Sequence, residues 1–567
     1  MRTDLKIHVS GYYSYHLRRD GTAVIDRYTG SEDVLALPCQ LDGFPVTGIG
    51  QEAFSDHREI KKVILPEGVK NVGRRAFNCC HKLKEIILPD SLTGMGKYVF
   101  EDCQALKEIR IPERVRNIGQ GAFLGCSRLE TITLPGSLSA VWDFAFYGCT
   151  SLTCIDLPDG VTVIGREAFS GCESLGRVSL PGYMTYMGRK AFFGCEHLTG
   201  MLTLPEGLTY IEAETFAGCR NLRKVIFPDT LKRIGREAFY GCYSLCDVSL
   251  PKGIKDIGKG AFRGCSLTKV TLPPGMKDIR KDVFHSAGLK EVILPEGLRS
   301  IGDRAFFGCH MKELTVPESV NTIGDGAFAF CKELEHINLP ENLAKLGRAF
   351  FECGSLREIT VPDGIKNIEN AVFCYCRNLR KVKLPEGLTC IGSRAFEYCS
   401  ELKSIALPQS LTDIGSRAFA YCHDLTEIRL PQSLTNLGSM AFLDCVSLGK
   451  IGMPDGLRSI DEKVFYGCAC LKEIILPEGI REIGSCAFQD CTSLEKILLP
   501  ESLTRIGERS FYGCKSMTEL LLPESLTDIG INIAAGCSNL MVYVIPGTIA
   551  EDYCRENGVP YMGIDER

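Results

Sequence analysis

The sequence predicts a β-solenoid of about 22 coils with a 23-residue period and a parallel sheet along one face. Three observations support this prediction. A proline closes a short apolar segment at nearly constant intervals, leucine, isoleucine and glycine repeat in register between the prolines, and one phenylalanine and one cysteine position recur in almost every coil. A fixed period of this length is the signature of a repeat architecture.

The proline marker runs from Pro66 to Pro546. Of its 21 intervals, 16 are 23 residues long, four are 22 and one is 24. Each repeat has one apolar face that it cannot bury alone, so neighbouring repeats must stack on one another. The regular spacing therefore predicts one continuous stack of coils.

Residues 384–408, LPEGLTCIGSRAFEYCSELKSIALP, contain the parts of one coil. The segment L-x-x-I-x-L alternates as a short strand does. Proline cannot donate to a strand ladder, and the glycine or serine that follows suits a turn. A second extended piece, L-x-x-I-G, comes next, and a tight helical turn carrying Ala-Phe closes the coil.

Phenylalanine fills one position from Phe54 to Phe511, and Ala534 replaces it in the last coil. Equivalent positions of a solenoid stack in a column, so we expect the rings to form a buried stack. Truncation of one ring, as in Phe396→Ala, should cost about 3–5 kcal/mol.

Twenty of the 29 cysteines lie three residues after this phenylalanine, and His57 and Ala287 occupy the same position in two coils. A position that accepts alanine indicates packing by a small buried residue with a weak S–H donor, not a ligand or nucleophile. Neighbouring members fall within disulfide range, but their Cβ vectors are expected to run parallel, which is poor bridging geometry.

The nine other cysteines share no position. Cys374 with Cys376, and Cys468 with Cys470, have the spacing of metal ligands, but no second C-x-x-C follows at zinc-site spacing. We interpret them as scattered small-residue substitutions and expect no metal site. So many unpaired thiols favour a reducing compartment.

The motif I-G-x-x-A-F-x-x-C, repeated over about residues 44–546, resembles the BspA-type (Treponema pallidum-type) leucine-rich repeat. The resemblance implies a curved, right-handed leucine-rich-repeat solenoid, an α/β repeat. Members of this family are mostly bacterial or protozoan, and several are surface proteins implicated in adhesion. The resemblance therefore implies a binding role.

The predicted domains are an N-terminal β-hairpin cap (residues 1–43), the solenoid (44–546) and a C-terminal helix-strand cap (547–567). The hairpin is predicted where YYSYHL and TAVIDRY flank Arg-Asp-Gly. GTIAEDYCRENG predicts a helix with Gly547 or Thr548 as its N-cap and Gly558 at its end, followed by a strand at VPYMGI.

A net charge of −5 gives no basic footprint for nucleic acid. No apolar run approaches the length of a membrane span, and charges stand where a signal peptide needs its apolar core. The sequence as written predicts a cytoplasmic protein, with surface display or secretion by an unconventional route as the alternative. No catalytic motif is found, so neither an enzyme nor a cofactor is expected.

The outward position between Ile and Leu of the strand is mostly Thr, Ser or Asn through the middle of the chain. In the last four coils it is apolar, at Ile475, Leu498, Leu521 and Val544. Such a stripe is the size of a patch that binds a partner or a second copy of the chain. The alternative interpretation is strand propensity plus cover by the C-terminal cap.

A second irregularity lies between Pro251 and Pro317, where three successive coils have 22 residues and carry His285 and His310. A local change of curvature that shapes a binding groove is one interpretation. Loop drift copied by repeat duplication is the other.

The first functional hypothesis is a non-enzymatic scaffold that binds an unknown protein through the exposed face of the solenoid. The second is a bacterial surface adhesin for host matrix or cell-surface proteins. The third is a glycan-binding solenoid, which would need exposed aromatic platforms on the sheet. The single tryptophan, Trp142, instead replaces the glycine of I-G in one coil.

Overall fold

A computed structural model describes residues 6–564. The chain divides into two compact units. The first contains the residues up to Met276 together with Asp282–Leu289, and the second contains Lys277–Lys281 and the residues from Lys290 onwards.

Three antiparallel strands begin the first unit, at Ile7–Ser10, Tyr13–Leu17 and Ala23–Tyr28. The second and third form the predicted hairpin around Arg-Asp-Gly. Gly21 has a φ of 78° there, a left-handed conformation that glycine adopts without steric cost. A short hairpin of Gln40–Leu41 and Phe44–Ile49 follows, and its second strand pairs in parallel with Ala23–Tyr28.

Each coil contributes one long strand, in which a buried middle residue usually lies between two exposed residues. The predicted parallel pairing is confirmed, for example by Glu427–Arg429 against Lys450–Gly452. In the first unit these long strands are Val34–Ala36, Lys62–Ile64, Glu85–Ile87, Glu108–Arg110, Thr131–Thr133, Cys154–Asp156, Arg177–Ser179, Gly200–Thr203, Leu222–Ile226, Asp247–Ser249 and Lys269–Thr271. In the second they are Glu291–Ile293, Glu313–Thr315, His336–Asn338, Glu358–Thr360, Lys381–Lys383, Ser404–Ile405, Glu427–Arg429, Lys450–Gly452, Glu473–Ile475, Lys496–Leu498, Glu519–Leu521, Met541–Val544 and Tyr561–Gly563.

A second, two-residue strand follows in each coil and also pairs in parallel with its neighbours, so a second series of short strands forms. In the first unit the short strands are Asn71–Val72, Gly94–Met95, Asn117–Ile118, Ala140–Val141, Val163–Ile164, Tyr186–Met187, Tyr210–Ile211, Arg233–Ile234 and Asp256–Ile257. In the second they are Asp278–Ile279, Ser300–Ile301, Thr322–Ile323, Lys345–Leu346, Asn367–Ile368, Cys390–Ile391, Asp413–Ile414, Asn436–Leu437, Ser459–Ile460, Glu482–Ile483, Arg505–Ile506 and Asp528–Ile529.

The segment that carries Ala-Phe consists of hydrogen-bonded turns and not of helix. Left-handed residues explain this, as at Arg394 and Tyr398, whose φ angles are 60° and 61°. A residue with positive φ cannot continue a right-handed helix. Within residues 6–564, helix is confined to Ile549–Asn557.

The rings of the phenylalanine position stack, as predicted. Successive ring centroids lie 5.0 to 5.8 Å apart in the first unit, from Phe54 to Phe284. They lie 5.2 to 5.8 Å apart in the second, from Phe306 to Phe511. The rings are fully buried. This column forms the centre of the core in each unit.

The helix Ile549–Asn557 begins after Thr548 and ends at Gly558, whose φ is 66°, as the sequence predicts. Its buried Tyr553 hydroxyl accepts a hydrogen bond from the backbone N–H of Ile533 at 3.0 Å. The strand Tyr561–Gly563 then pairs in parallel with Met541–Val544. The helix and strand are therefore packed against the coil that carries Ala534.

Candidate binding surface

The outward side chains of the long strands form the candidate surface. Backbone pairing and the buried middle residue hold each strand in place, so the two flanking side chains point into solvent at a fixed spacing. In most coils these side chains are charged or polar, and opposite charges face one another across strands, as at Glu473 and Lys496. Most of the surface is thus a solvated face with weak pairing.

Three of the four apolar residues predicted to form a stripe are exposed. The exposed fraction is 65% for Ile475, 48% for Leu498 and 46% for Leu521. Ile475 and Leu498 are direct partners in adjacent strands. Large aliphatic side chains at these exposures would normally be buried, so the stripe is a real apolar feature of this face.

The prediction for Val544 is wrong, because this side chain is fully buried. In the last of these coils the strand is shifted by one residue, so that Leu521 pairs with Tyr543. A one-residue shift moves every side chain to the opposite face of a strand. Here the shift buries Val542 and Val544 and leaves the half-buried Tyr543 in the outward position. The alternation Val542-Tyr543-Val544 in the sequence could have indicated this shift, because it places both valines on the same face of the strand.

The stripe continues onto a strand that was not included in it. Tyr543 pairs with Met562 of the strand Tyr561–Gly563, and Met562 is 53% exposed. We call Ile475, Leu498, Leu521, Tyr543 and Met562 the apolar row. The C-terminal strand therefore lengthens the stripe and does not cover it, although cover was the alternative interpretation.

A groove of about 1150 Å³ lies on the long strands of the second unit. Its floor is formed by Glu291–Ile293, Glu313–Thr315 and His336–Asn338, and charged side chains of both signs surround it. His310 lines this groove, and its Nδ1 lies 2.9 Å from Glu333 Oε1. His336, which the sequence interpretation missed, lines it as well.

His285, the other histidine of the irregular coils, lies in the first unit. It is half-buried, and its Nδ1 lies 3.1 Å from the hydroxyl of Ser286. Of the two histidines singled out by the sequence, His310 therefore lines the groove of the second unit and His285 belongs to the first unit.

The column cysteines are held by a hydrogen bond that repeats from coil to coil. Within each unit, the column thiols donate to the backbone carbonyl oxygen of the phenylalanine in the preceding coil, at Sγ···O distances of 3.1 to 3.3 Å. Burial raises the pKa of the thiols inside the column, to about 12 for Cys80 and Cys242. A thiol that stays protonated and buried is a packing group with little nucleophilic character.

Residues 6–564 contain no helix long and apolar enough to cross a membrane. In the same part of the chain, no three His, Cys, Asp or Glu side chains are grouped so that they could hold a metal ion.

Solved structures that are similar to this chain include three bacterial proteins. A leucine-rich repeat protein from Bacteroides ovatus is 26% identical, with 87% of this chain and 100% of that chain covered and a TM-score of 0.35. The leucine-rich repeat protein of T. pallidum is 29% identical, with 43% and 92% covered and a TM-score of 0.25. The pneumococcal vaccine antigen PcpA is 18% identical, with 73% and 94% covered and a TM-score of 0.33. Each TM-score is below 0.5.

A comparison with curated proteins gives no match. The family described as "BspA type Leucine rich repeat region (6 copies)" matches residues 47–176, 162–288, 255–379, 346–472 and 440–554. These overlapping segments cover most of the chain and carry the repeated I-G-x-x-A-F-x-x-C motif. The chain therefore belongs to the BspA-type leucine-rich repeat family.

Proposed function

We propose that this protein is a non-enzymatic scaffold that binds another protein through the outward face of its long strands. Repeat solenoids present extended surfaces of this kind, and the family is a leucine-rich repeat scaffold. The observation that carries the proposal is the apolar row, a set of large side chains, four exposed and one half-buried, on neighbouring parallel strands of the second unit.

The composition around the row is that of a protein-binding patch. Charged residues such as Lys472 and Glu473 flank it, so an apolar centre is surrounded by a polar rim. The backbone beneath the row is held by parallel pairing among its strands, so little ordering is required when a partner binds. The row therefore provides a pre-organised apolar contact.

The test compares two charge substitutions at the same outward position of different strands. Leu498→Lys places a charge inside the row, and Thr360→Lys places it on an exposed polar residue of another coil. Both variants and the wild type are titrated against partners selected from a random-peptide display library and against immobilised matrix proteins. We expect Leu498→Lys to weaken binding by about tenfold or more, because a charge at the centre of an apolar contact is desolvated without a partner. Thr360→Lys should bind as the wild type does.

The outcomes separate the hypotheses. Binding to peptides alone supports the scaffold, and binding to a matrix protein that Leu498→Lys abolishes supports the adhesin. Sedimentation velocity tests whether the row is instead a contact between two copies of this chain. In that case Leu498→Lys should produce monomers. Binding that is equal in all three proteins would refute the proposal.

A glycan-binding role is the second candidate, and exposed aromatic rings favour it. Trp142, Tyr183 and Tyr186 are exposed in the first unit, but they lie on the short-strand side of their coils and not on the long strands. A glycan array probed with the wild type and with Tyr183→Ala tests this role. Loss of a glycan signal in that variant would support it, and the absence of any signal would reject it.

A further inference from the structure

Cys537 differs from every other member of the cysteine column. It is partly exposed, whereas the nineteen column cysteines before it are buried. Its coil has Ala534 in place of the ring, and the helix that follows contacts this coil through the Tyr553 hydroxyl. The end of the column is therefore the place at which a small reagent in solution can reach a column thiol.

Cys514 lies directly beneath Cys537 in the preceding coil. The two coils are in register, with Arg505 opposite Asp528 and Ile506 opposite Ile529. Both thiols make the same contact, to the carbonyl oxygens of Phe488 and Phe511 at 3.2 Å. Parallel strands lie about 4.8 Å apart, which is within the Cα separation of a disulfide.

Disulfides inside the column are disfavoured because each coil is held by a coil on either side and the Cβ vectors of equivalent positions are expected to run parallel. The coil of Cys537 is held by a coil of this kind on one side only, and the missing ring at Ala534 removes a packing contact. Its thiol can therefore tilt towards Cys514 at a smaller steric cost than any thiol further inside.

The two thiols also differ in their acidity. Burial disfavours the charged thiolate, so the partly exposed Cys537 loses its proton more readily than the buried Cys514. The accessible thiol is thus the better nucleophile, because the thiolate is the attacking species. The buried Cys514 thiol stays protonated until a mixed disulfide forms on Cys537 next to it.

We propose that Cys514 and Cys537 form a redox-active dithiol that low-molecular-weight disulfides, such as glutathione disulfide, oxidise reversibly. The Cys537 thiolate attacks one sulfur of the reagent, which forms a mixed disulfide and releases one thiolate. Cys514 then attacks the Cys537 sulfur of the mixed disulfide, and the remaining thiolate of the reagent leaves. The proton of Cys514 passes to this thiolate. The two protein thiols and one small disulfide become one protein disulfide and two small thiols.

The experiment treats the reduced, folded wild-type protein with excess glutathione disulfide, blocks the remaining thiols by alkylation and maps the peptides by mass spectrometry. We expect a disulfide between Cys514 and Cys537 that dithiothreitol reverses. The exposed Cys246 should carry glutathione and so report that the reagent is active. Cys445 and Cys468, both buried in the same column, serve as the internal control and should remain unlinked.

The variant Cys514→Ala separates the two steps. Ala287 occupies the equivalent position in another coil, so the fold accepts alanine there. This variant should accumulate a glutathione adduct on Cys537, because the resolving thiol is missing. The proposal is overturned if the wild type also stops at the adduct, or if Cys537 is alkylated no faster than Cys445.

Discussion

The thiol of Cys399 donates a hydrogen bond to the backbone carbonyl oxygen of Phe373, with an Sγ···O distance of 3.2 Å. This contact joins two successive coils at the centre of the core, where both residues are fully buried. The same contact repeats through both units, so one weak donor per coil satisfies a carbonyl of the coil before it. Packing and hydrogen bonding thus explain the column before Cys514, and thiol chemistry is proposed only for the pair at its end.

Cys399→Ala should lower the free energy of unfolding by about 1–2 kcal/mol, because it removes a buried hydrogen bond and leaves a small cavity. Urea denaturation measures this change. Cys390→Ala is the matched control, since Cys390 lies on the short strand of the same coil and is only half-buried. A loss of equal size in both variants would contradict a special role for the column.

His57 occupies the cysteine position of its coil, and its Nε2 lies 2.9 Å from the carbonyl oxygen of Tyr28. Because a carbonyl only accepts, Nε2 carries the proton, and the imidazole replaces the thiol as donor. We expect His57→Cys to retain stability to within about 0.5 kcal/mol and His57→Ala to lose about 1 kcal/mol. Thermal unfolding of the three proteins checks this, and equal midpoints for the two variants would refute the donor role.

Phe396→Ala should cost about 3–5 kcal/mol, since this ring is stacked between Phe373 and Phe419 at centroid distances of 5.2 and 5.3 Å. Phe511 stacks on Phe488 on one side, and its other neighbour in the column is Ala534. Phe511→Ala should therefore cost less than Phe396→Ala. Denaturant titrations rank the two, and the reverse order would show that ring stacking does not set the cost.

Alkaline pH should destabilise the protein steeply. Burial raises the pKa of Cys242 to about 12, whereas a thiol of the unfolded chain titrates near about 8.5. Below the unfolded pKa both states are protonated and the stabilisation is complete. Between the two pKa values the unfolded chain binds fewer protons than the folded protein. The free energy of unfolding therefore falls as pH rises, by up to about 1.4 kcal/mol per pH unit for each buried thiol.

Urea midpoints measured from pH 8 to pH 11 follow this loss. Cys242→Ala removes one of the titrating groups and should give a shallower decline than the wild type. Cys246→Ala, which changes an exposed cysteine of the same coil, should not alter the slope. A decline that is the same in all three proteins would assign the alkaline effect to other groups.

Gly392→Ala should destabilise the protein by about 1–3 kcal/mol through overpacking. A Cβ atom there would lie 2.8 Å from the backbone N of Asn370 in the preceding coil. Trp142 and Glu369 occupy the same position in other coils, so neighbouring coils can separate locally and the variant should still fold. Gly452→Ala is the control, because a Cβ at that position would meet nothing within 4 Å. Equal stability of the two variants, measured by urea denaturation, would refute close coil contact as the cause.

The repeat made the local structure predictable. Leu-x-x-Ile-x-Leu, the proline that ends it, and the ring and thiol positions each occur about twenty times, so a weak preference at one position becomes a strong signal by repetition. The strands, their parallel pairing and the stacked rings follow from this pattern. The helix that starts after Thr548 and ends at Gly558 lies outside the repeat and was predicted from its capping residues.

The candidate surface was less predictable, because outward positions are free to vary and carry no periodic signal. Ile475, Leu498 and Leu521 could be placed by counting from the proline, since their coils have the standard register. Val544 could not, because its strand is shifted by one residue in order to bury two valines. His336 was missed because nothing in its own repeat marks the groove that three neighbouring strands form together.

The sequence by itself determined the solenoid, its period and its buried columns, because these depend on which residues recur and on the need of each coil to bury one apolar face. Only the tertiary structure decided which side of the last strands faces solvent, that Met562 extends the apolar row, and that Cys537 is the exposed end of an otherwise buried column. The physical reason is that register and burial at the end of a stack are set by contacts with the residues that pack there, and those contacts occur once in the chain and not in every repeat.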